Sequence, residues 1–117
     1  VAVVACDMPF VDPGFLAALR EDAAGHEAAI PRLDDRWLQT TQAVYHAGAM
    51  ATACERALAR GDRKVLAPID DLDHVVVGDA EIRERTTERT FTNVNTRAEL
   101  AEAETAIAAA LDDADAR

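Results

Sequence analysis

A chain of 117 residues is long enough for one domain, and with half of its residues hydrophobic it is not a disordered segment. Only 4% are aromatic, so the core must be built from Ala, Val, Leu and Ile. The formal charge of −10 argues against a surface for nucleic acid or anionic membrane, and neither a transmembrane run nor a signal peptide is visible. Lys64 is the single lysine among 12 basic residues. An acidic, arginine-biased surface suits a protein kept soluble in high salt, where repulsion is screened. A halophilic source is therefore expected, although base composition of the gene would give the same bias, and the cytoplasm is the default location. In such a field a phosphorylated substrate needs a metal ion or a local arginine.

In chain order, Val1–Cys6 is an unbroken apolar run and predicts a strand buried on both faces, as in a parallel sheet. Asp7 falls at its carboxyl end, and Pro9 turns the chain out of the sheet. Ligands of open α/β sheets bind outside the carboxyl ends of strands, where a carboxylate can hold a divalent metal against a phosphate. Capping of the turn or of the next helix is the competing role for Asp7. Because the chain opens inside a strand and not at Met, it reads as a fragment. Asp12-Pro13 starts a helix whose apolar face, Phe15, Leu16 and Leu19, continues to the region of Ala23, with Gly25 ending it. Glu27–Leu33 predicts a second strand and hence a right-handed parallel crossover, with Pro31 marking a bulge or an edge. After the polar turn Asp34-Asp35-Arg36, Trp37–Tyr45 predicts a third strand that can pair with the second as a hairpin and make the sheet mixed.

Ala47–Arg60 predicts a helix with Met50, Cys54, Ala57 and Leu58 as its apolar face and Gly61 closing it. Arg63–Leu72 is a short helix or turn interrupted by Pro68. His74–Val77 is a fourth strand, Asp79–Thr90 a polar loop or irregular element, and Phe91–Val94 a last short strand. Thr96 and Glu99 form a Thr-x-x-Glu capping box. It opens a final helix striped by Leu100, Ala103, Ile107 and Leu111, and Asp112–Arg117 should fray. Cys6 reads as a small core residue, and its distance from Cys54 gives no metal-ligand spacing. His26, His46 and His74 form no ligand motif.

Three segments stand out in order: Cys6-Asp7-Met8-Pro9-Phe10, Ala59-Arg60-Gly61-Asp62-Arg63-Lys64-Val65, and Phe91-Thr92-Asn93-Val94-Asn95-Thr96. With Gln39-Thr40-Thr41-Gln42-Ala43-Val44-Tyr45, the set resembles the molybdenum cofactor guanylyltransferases of the nucleotidyltransferase superfamily. The resemblance runs from Val1 to the region of Ala106. It implies an α/β, three-layer helix–sheet–helix, Rossmann-like nucleotidyltransferase fold with a mostly parallel or mixed sheet. That fold would be incomplete, because the first half-sheet would precede Val1, and residues 1–117 would be the carboxyl-terminal part of one domain.

The implied activity is transfer of GMP from GTP to molybdopterin, giving the guanine dinucleotide form of the molybdenum cofactor. Such a transfer rests on positioning and charge stabilisation, with Mg²⁺ as the natural bridge between phosphates. By match, Asp7 is the catalytic metal aspartate; Asn93, Asn95 and Thr96 lie at the site; Arg63 and Lys64 face the substrate; Gln39 and Tyr45 are weaker candidates. The residues themselves leave other roles open. Asn93 and Asn95 can shape a turn, Thr96 is spaced as a helix cap, Arg63 and Lys64 can be a solvated helix start, and Tyr45 can be a core tyrosine with a satisfied hydroxyl. The implied partners are GTP and molybdopterin, with no nucleic acid and no membrane, and a homo-oligomer or molybdoenzyme-maturation proteins as protein partners.

Two departures qualify the match. The family more often has Gln-Pro-Leu where this chain has Gln39-Thr40-Thr41, which keeps open a sister nucleotidyltransferase with another phosphorylated acceptor, such as a phospholactate or a cobinamide phosphate. The family's glycine-rich loop, Leu-Ala-Gly-Gly followed by Arg-Met-Gly and a lysine, holds the triphosphate, and nothing here matches it; the five glycines are scattered singly. The chain alone would then lack the GTP loop and be inactive. The remaining alternative is a non-catalytic binding or assembly module whose sheet edge at Val1 pairs with another chain.

Overall fold

A computed structural model describes residues 1–34 and 36–116; Asp35 of the predicted turn and Arg117 of the tail lie outside the described residues. The first strand, β1, is Ala2–Val4. Helix α1, Pro13–Asp22, starts where Asp12 accepts hydrogen bonds from Gly14 N and Phe15 N, with Pro13 in the first turn. Strand β2 is Ala28–Leu33, followed by the short β3, Trp37–Leu38, and β4, Gln42–Tyr45. Asp34 enters the hairpin turn in the left-handed region, at φ 54°, which aspartate tolerates. Helix α2 is Ala47–Ala59, with His46 Nδ1 accepting from Ala49 N as its cap. The short α3, Leu66–Asp70, leads to β5, His74–Val77. Helix α4 is Asp79–Arg85, a 3-10 turn occupies Glu88–Phe91, and α5 is Arg97–Asp115. None of these helices is long and apolar enough to cross a membrane.

The sheet is mixed. β4 pairs antiparallel with β1 on one side and β2 on the other, β3 pairs antiparallel with β2, and β5 pairs parallel with β2. β1, β2 and β5 therefore run in one direction, with β4 reversed between β1 and β2. Alternation along the central strands sends side chains to two cores. Ala29 and Val44 join Phe15, Leu19, Val77, Ile82 and Phe91 beneath α1 and α4. Ala28, Ile30, Ala43 and Tyr45 join Ala53, Ile69 and Leu72 beneath α2 and α3. The expected helix–sheet–helix layering is thus present, and Phe15 and Phe91 meet edge to face at 5.8 Å.

Several expectations are corrected. β1 is not buried on both faces: Ala2, Val3 and Val4 are all exposed, since the strand lies at the edge of the sheet and contributes to neither core cluster. The crossover from β1 to β2 is parallel as expected, with β4 inserted antiparallel between the two strands. Cys6 is exposed and not a core residue, and both cysteines are free. In α2, Ala53 and Ala57 face the sheet while Leu58 is 61% exposed; the small residues let the helix sit close. Asp79–Arg85 is a helix, buried through Ile82, with Asp79 and Glu81 in its first turn and Arg83 and Arg85 in its last, the charge order that suits its dipole. Arg85 also reaches Asp22 on α1 as a bidentate pair, which raises the already high pKa of the guanidinium. Phe91–Val94 is not a strand; it ends the 3-10 turn and crosses the loop after β1 with one backbone bond. Of the α5 stripe only Ala103 is buried, with Leu100, Ile107 and Leu111 exposed.

Candidate functional site

Because β1, β2 and β5 are co-directional, their carboxyl ends share one edge of the sheet. The antiparallel register places the start of β4 there as well, with Val4 opposite Gln42 and Ala5 N donating to Thr41 O at 2.8 Å. Asp7 lies two residues beyond Ala5, half-buried in the turn that leaves this edge. Its carboxylate has no hydrogen-bond or ion-pair partner among the described residues. Its carbonyl oxygen accepts from Val94 N at 2.8 Å. That bond sets the turn of Asp7 directly against Asn93 and Asn95, which are both exposed. The Asp7 and Asn93-Val94-Asn95 segments, far apart in sequence, are neighbours in space.

Gln39 is also on this edge. Its backbone N donates to Pro31 O at 2.7 Å, and its carbonyl accepts from Gln42 N at 3.2 Å, so residues 39–41 form a kink between β3 and β4. Tyr45 turns its hydroxyl onto Thr40 O at 2.6 Å and is otherwise buried, matching the core role with a satisfied hydroxyl. Burial first, and the charge of a Cys54 thiolate second, push its ionisation from 10.0 up to about 12. Thr96 caps α5: its Oγ1 accepts from Glu99 N at 3.1 Å and donates to Glu99 Oε1 at 3.0 Å. The capping role is therefore the one its geometry displays.

Asn93 lines a hollow of about 280 Å³ with Phe10, Arg89, Val94, Glu99 and Glu102, and the Arg89 guanidinium stacks 4.0 Å above the Phe10 ring. Arg63 and Lys64 lie elsewhere. They line a hollow of about 300 Å³ with Met50, Cys54 and Val65 on the α2–α3 side. An adjoining apolar hollow of about 420 Å³ shares those three residues and is bounded by Thr40 and Thr41. Neither includes Asp7, Asn93 or Asn95. The site residues expected from the sequence thus fall into two groups, Asp7 with Asn93 and Asn95, and Arg63 with Lys64.

Two further features were not anticipated. Gln42 is fully buried and bonds to Met8 and Thr90, one residue after Asp7 and three before Asn93. Its alternation in β4 places it on the same face as Val44, a position that a polar residue occupies only when its bonds are met. Arg32, at the carboxyl end of β2, carries a buried Nε without a partner among the described residues. Its available signal was that it is a cation near the carboxyl end of a strand, the end outside which ligands of open α/β sheets bind.

The donor set at Asp7 can be tested against a divalent metal. Among the described residues no group of three or more His, Cys, Asp or Glu side chains is arranged to enclose an ion. Mg²⁺ does not need such a cage; it is commonly held by one or two carboxylates plus substrate phosphates and water. A lone, half-buried and unpartnered carboxylate at the carboxyl edge fits that mode.

The chain has relatives among known proteins. It is 41% identical over 99 residues to a protein of Natronomonas pharaonis named "Probable molybdenum cofactor guanylyltransferase", covering 85% of this chain and 48% of that protein. A protein of the same name from Methanosarcina mazei is 47% identical over 96 residues, covering 80% of this chain and 42% of that protein. The chain spans less than half the length of these curated relatives. Among solved structures it is similar to molybdopterin-guanine dinucleotide biosynthesis protein A from Archaeoglobus fulgidus, with TM-score 0.73 and 34% identity, covering 92% of this chain and 55% of that one. A structure from Aquifex aeolicus shares the fold, with TM-score 0.62 at 21% identity over 83% of this chain and 48% of that one. Residues 1–75 match the family described as MobA-like NTP transferase domain. That match takes in β1, the turn of Asp7, the kink at Thr40 and the α2–α3 hollow, and the chain belongs to the MobA-like NTP transferase domain family.

Proposed function

We propose that this chain is the metal and acceptor side of a guanylyltransferase that moves GMP from GTP to molybdopterin. The terminal phosphate oxygen of molybdopterin forms a bond to the GTP α-phosphorus, the bond from that phosphorus to the β-phosphate bridge breaks, and pyrophosphate departs with the electron pair. A divalent cation bound at Asp7 would neutralise and bridge the phosphates. The chain's own residues supply the rest. Asp7 offers both carboxylate oxygens, unspent on partners among the described residues. Asn93 and Asn95 offer amide donors and acceptors suited to a phosphate or a pterin edge. Gln39 offers the same groups from the kink, and Arg63 and Lys64 offer cations in an otherwise acidic chain. The supporting observation is the Val94 N–H bond to the Asp7 carbonyl, which sets the carboxylate-bearing turn beside the asparagines.

The test uses the complete gene product carrying this chain. It should transfer GMP to molybdopterin only with Mg²⁺, and Asp7→Asn should cut turnover by roughly a hundredfold or more while circular dichroism stays unchanged. Retained turnover in that variant removes Asp7 from the chemistry. A second reading, a sister transferase with a different phosphorylated acceptor, draws on Thr40 and Thr41, which stand at the mouth of an apolar hollow. A panel of acceptors including a phospholactate and a cobinamide phosphate separates the two.

A further inference from the structure

Gln42 opens β4 yet is wholly buried, at 0% exposure. An apolar residue would fill that volume without a desolvation cost, so the amide must recover its cost through bonds. It does so against two separate stretches of chain. Nε2 donates to Thr90 O at 2.8 Å and to Met8 Sδ at 3.3 Å, and Oε1 accepts from Thr90 Oγ1 at 2.7 Å. Thr90 Oγ1 also accepts from Asp12 N at 3.0 Å, and Asp12 Oδ2 accepts from Thr86 Oγ1 at 2.8 Å. Met8 follows Asp7 directly, and Thr90 stands three residues before Asn93. One buried side chain, anchored in the sheet, therefore bonds to both segments that the Val94–Asp7 bond brings together.

We infer that Gln42 is a positioning residue of the site, fixing the Asp7 carboxylate relative to Asn93 and Asn95 by holding Met8 and Thr90 at once. The inference rests on the proposed role of Asp7 as metal ligand. The complete protein, ¹⁵N-labelled, is titrated with Mn²⁺ alone, and amide broadening is followed together with hydrogen exchange at Val94. In the unaltered protein, the amides of Asp7, Asn93 and Asn95 should broaden together. In Gln42→Met, Asp7 should keep its broadening, Asn93 and Asn95 should broaden measurably less relative to Asp7 than in the unaltered protein, and the Val94 amide should exchange about tenfold faster. Thr90→Val should behave likewise, whereas Thr90→Ser, which keeps the hydroxyl, should behave as the unaltered protein.

Loss of a network that merely stabilises the fold would lower the urea midpoint and leave the broadening of Asn93 and Asn95 relative to Asp7 unchanged. Folded Gln42→Met and Thr90→Val proteins with unchanged broadening and unchanged Val94 exchange overturn the positioning role and leave Asp7 as assigned. Absence of broadening at Asp7 in the unaltered protein removes the metal assignment, and the positioning role goes with it. If Gln42→Met does not fold, the Thr90 pair decides; if Thr90→Val also fails to fold, the network is structural only and the inference is overturned.

Discussion

Replacing Tyr45 by phenylalanine should have opposite consequences at neutral and at alkaline pH. The hydroxyl donates to Thr40 O at 2.6 Å, and its removal leaves that carbonyl without this donor, at a cost of about 1 kcal/mol. The phenol, however, is held from ionising until about pH 12, against 10.0 when free. The unfolded chain ionises first, so the folded state keeps its full advantage below pH 10, loses it progressively between 10 and 12, and has lost it above. Two pH units correspond to about 2.7 kcal/mol. Tyr45→Phe has no such loss, so it should be the less stable protein at pH 7 and the more stable one near pH 12. Urea midpoints across that range give the comparison. The chain has a single tyrosine, so tyrosinate absorbance reports this residue alone. An absorbance midpoint near 10 in the folded protein, or a variant whose deficit is the same at every pH, would refute the argument that burial governs this phenol.

Thr96→Ala should lower stability by about 1 kcal/mol through loss of the α5 cap, and Thr96→Ser should restore it. A weakened affinity for the acceptor with an unchanged urea midpoint would instead assign Thr96 to substrate. Raising KCl from about 0.1 to about 1 M shortens the screening length from roughly 10 to 3 Å. With a net charge of −10, relief of repulsion should outweigh the weakening of the exposed Arg60–Asp71 pair, so the urea midpoint should rise. A flat or falling midpoint would count against an acidic surface adapted to salt.

What could be anticipated from the sequence follows the range over which each feature is determined. Asp12 and Thr96 cap helices by bonding to residues two or three positions on, and both helix starts were visible for that reason. The same local logic applies to α4, where acids precede bases around Ile82, but a stretch so dense in charge has the composition of a loop. Strand exposure is different. The run Val1–Cys6 has the composition of a central strand, and whether it is covered depends on neighbours that its own residues do not specify. The hairpin of β2 with β3 was legible from its turn, whereas the insertion of β4 between β1 and β2 was not, since strand order is a property of the assembled sheet.

The site divides along the same line. No spacing rule joins Asp7 to Asn93; their pairing came from resemblance to a family, and the bond from Val94 N to Asp7 O gives that resemblance a physical counterpart. The segment Phe91–Val94 is expected to be a short strand. It is turned instead by Thr90, whose hydroxyl and carbonyl are both held by a glutamine 48 residues away. That glutamine carried no local sign of importance, because within β4 it sits where an apolar residue would serve the core equally well. A buried amide of this kind becomes meaningful only with its partners in view. Here the partners adjoin the turn of Asp7 and the segment of Asn93 and Asn95, so the polar residue least expected from the sequence ties together the two stretches that the Val94–Asp7 bond also joins.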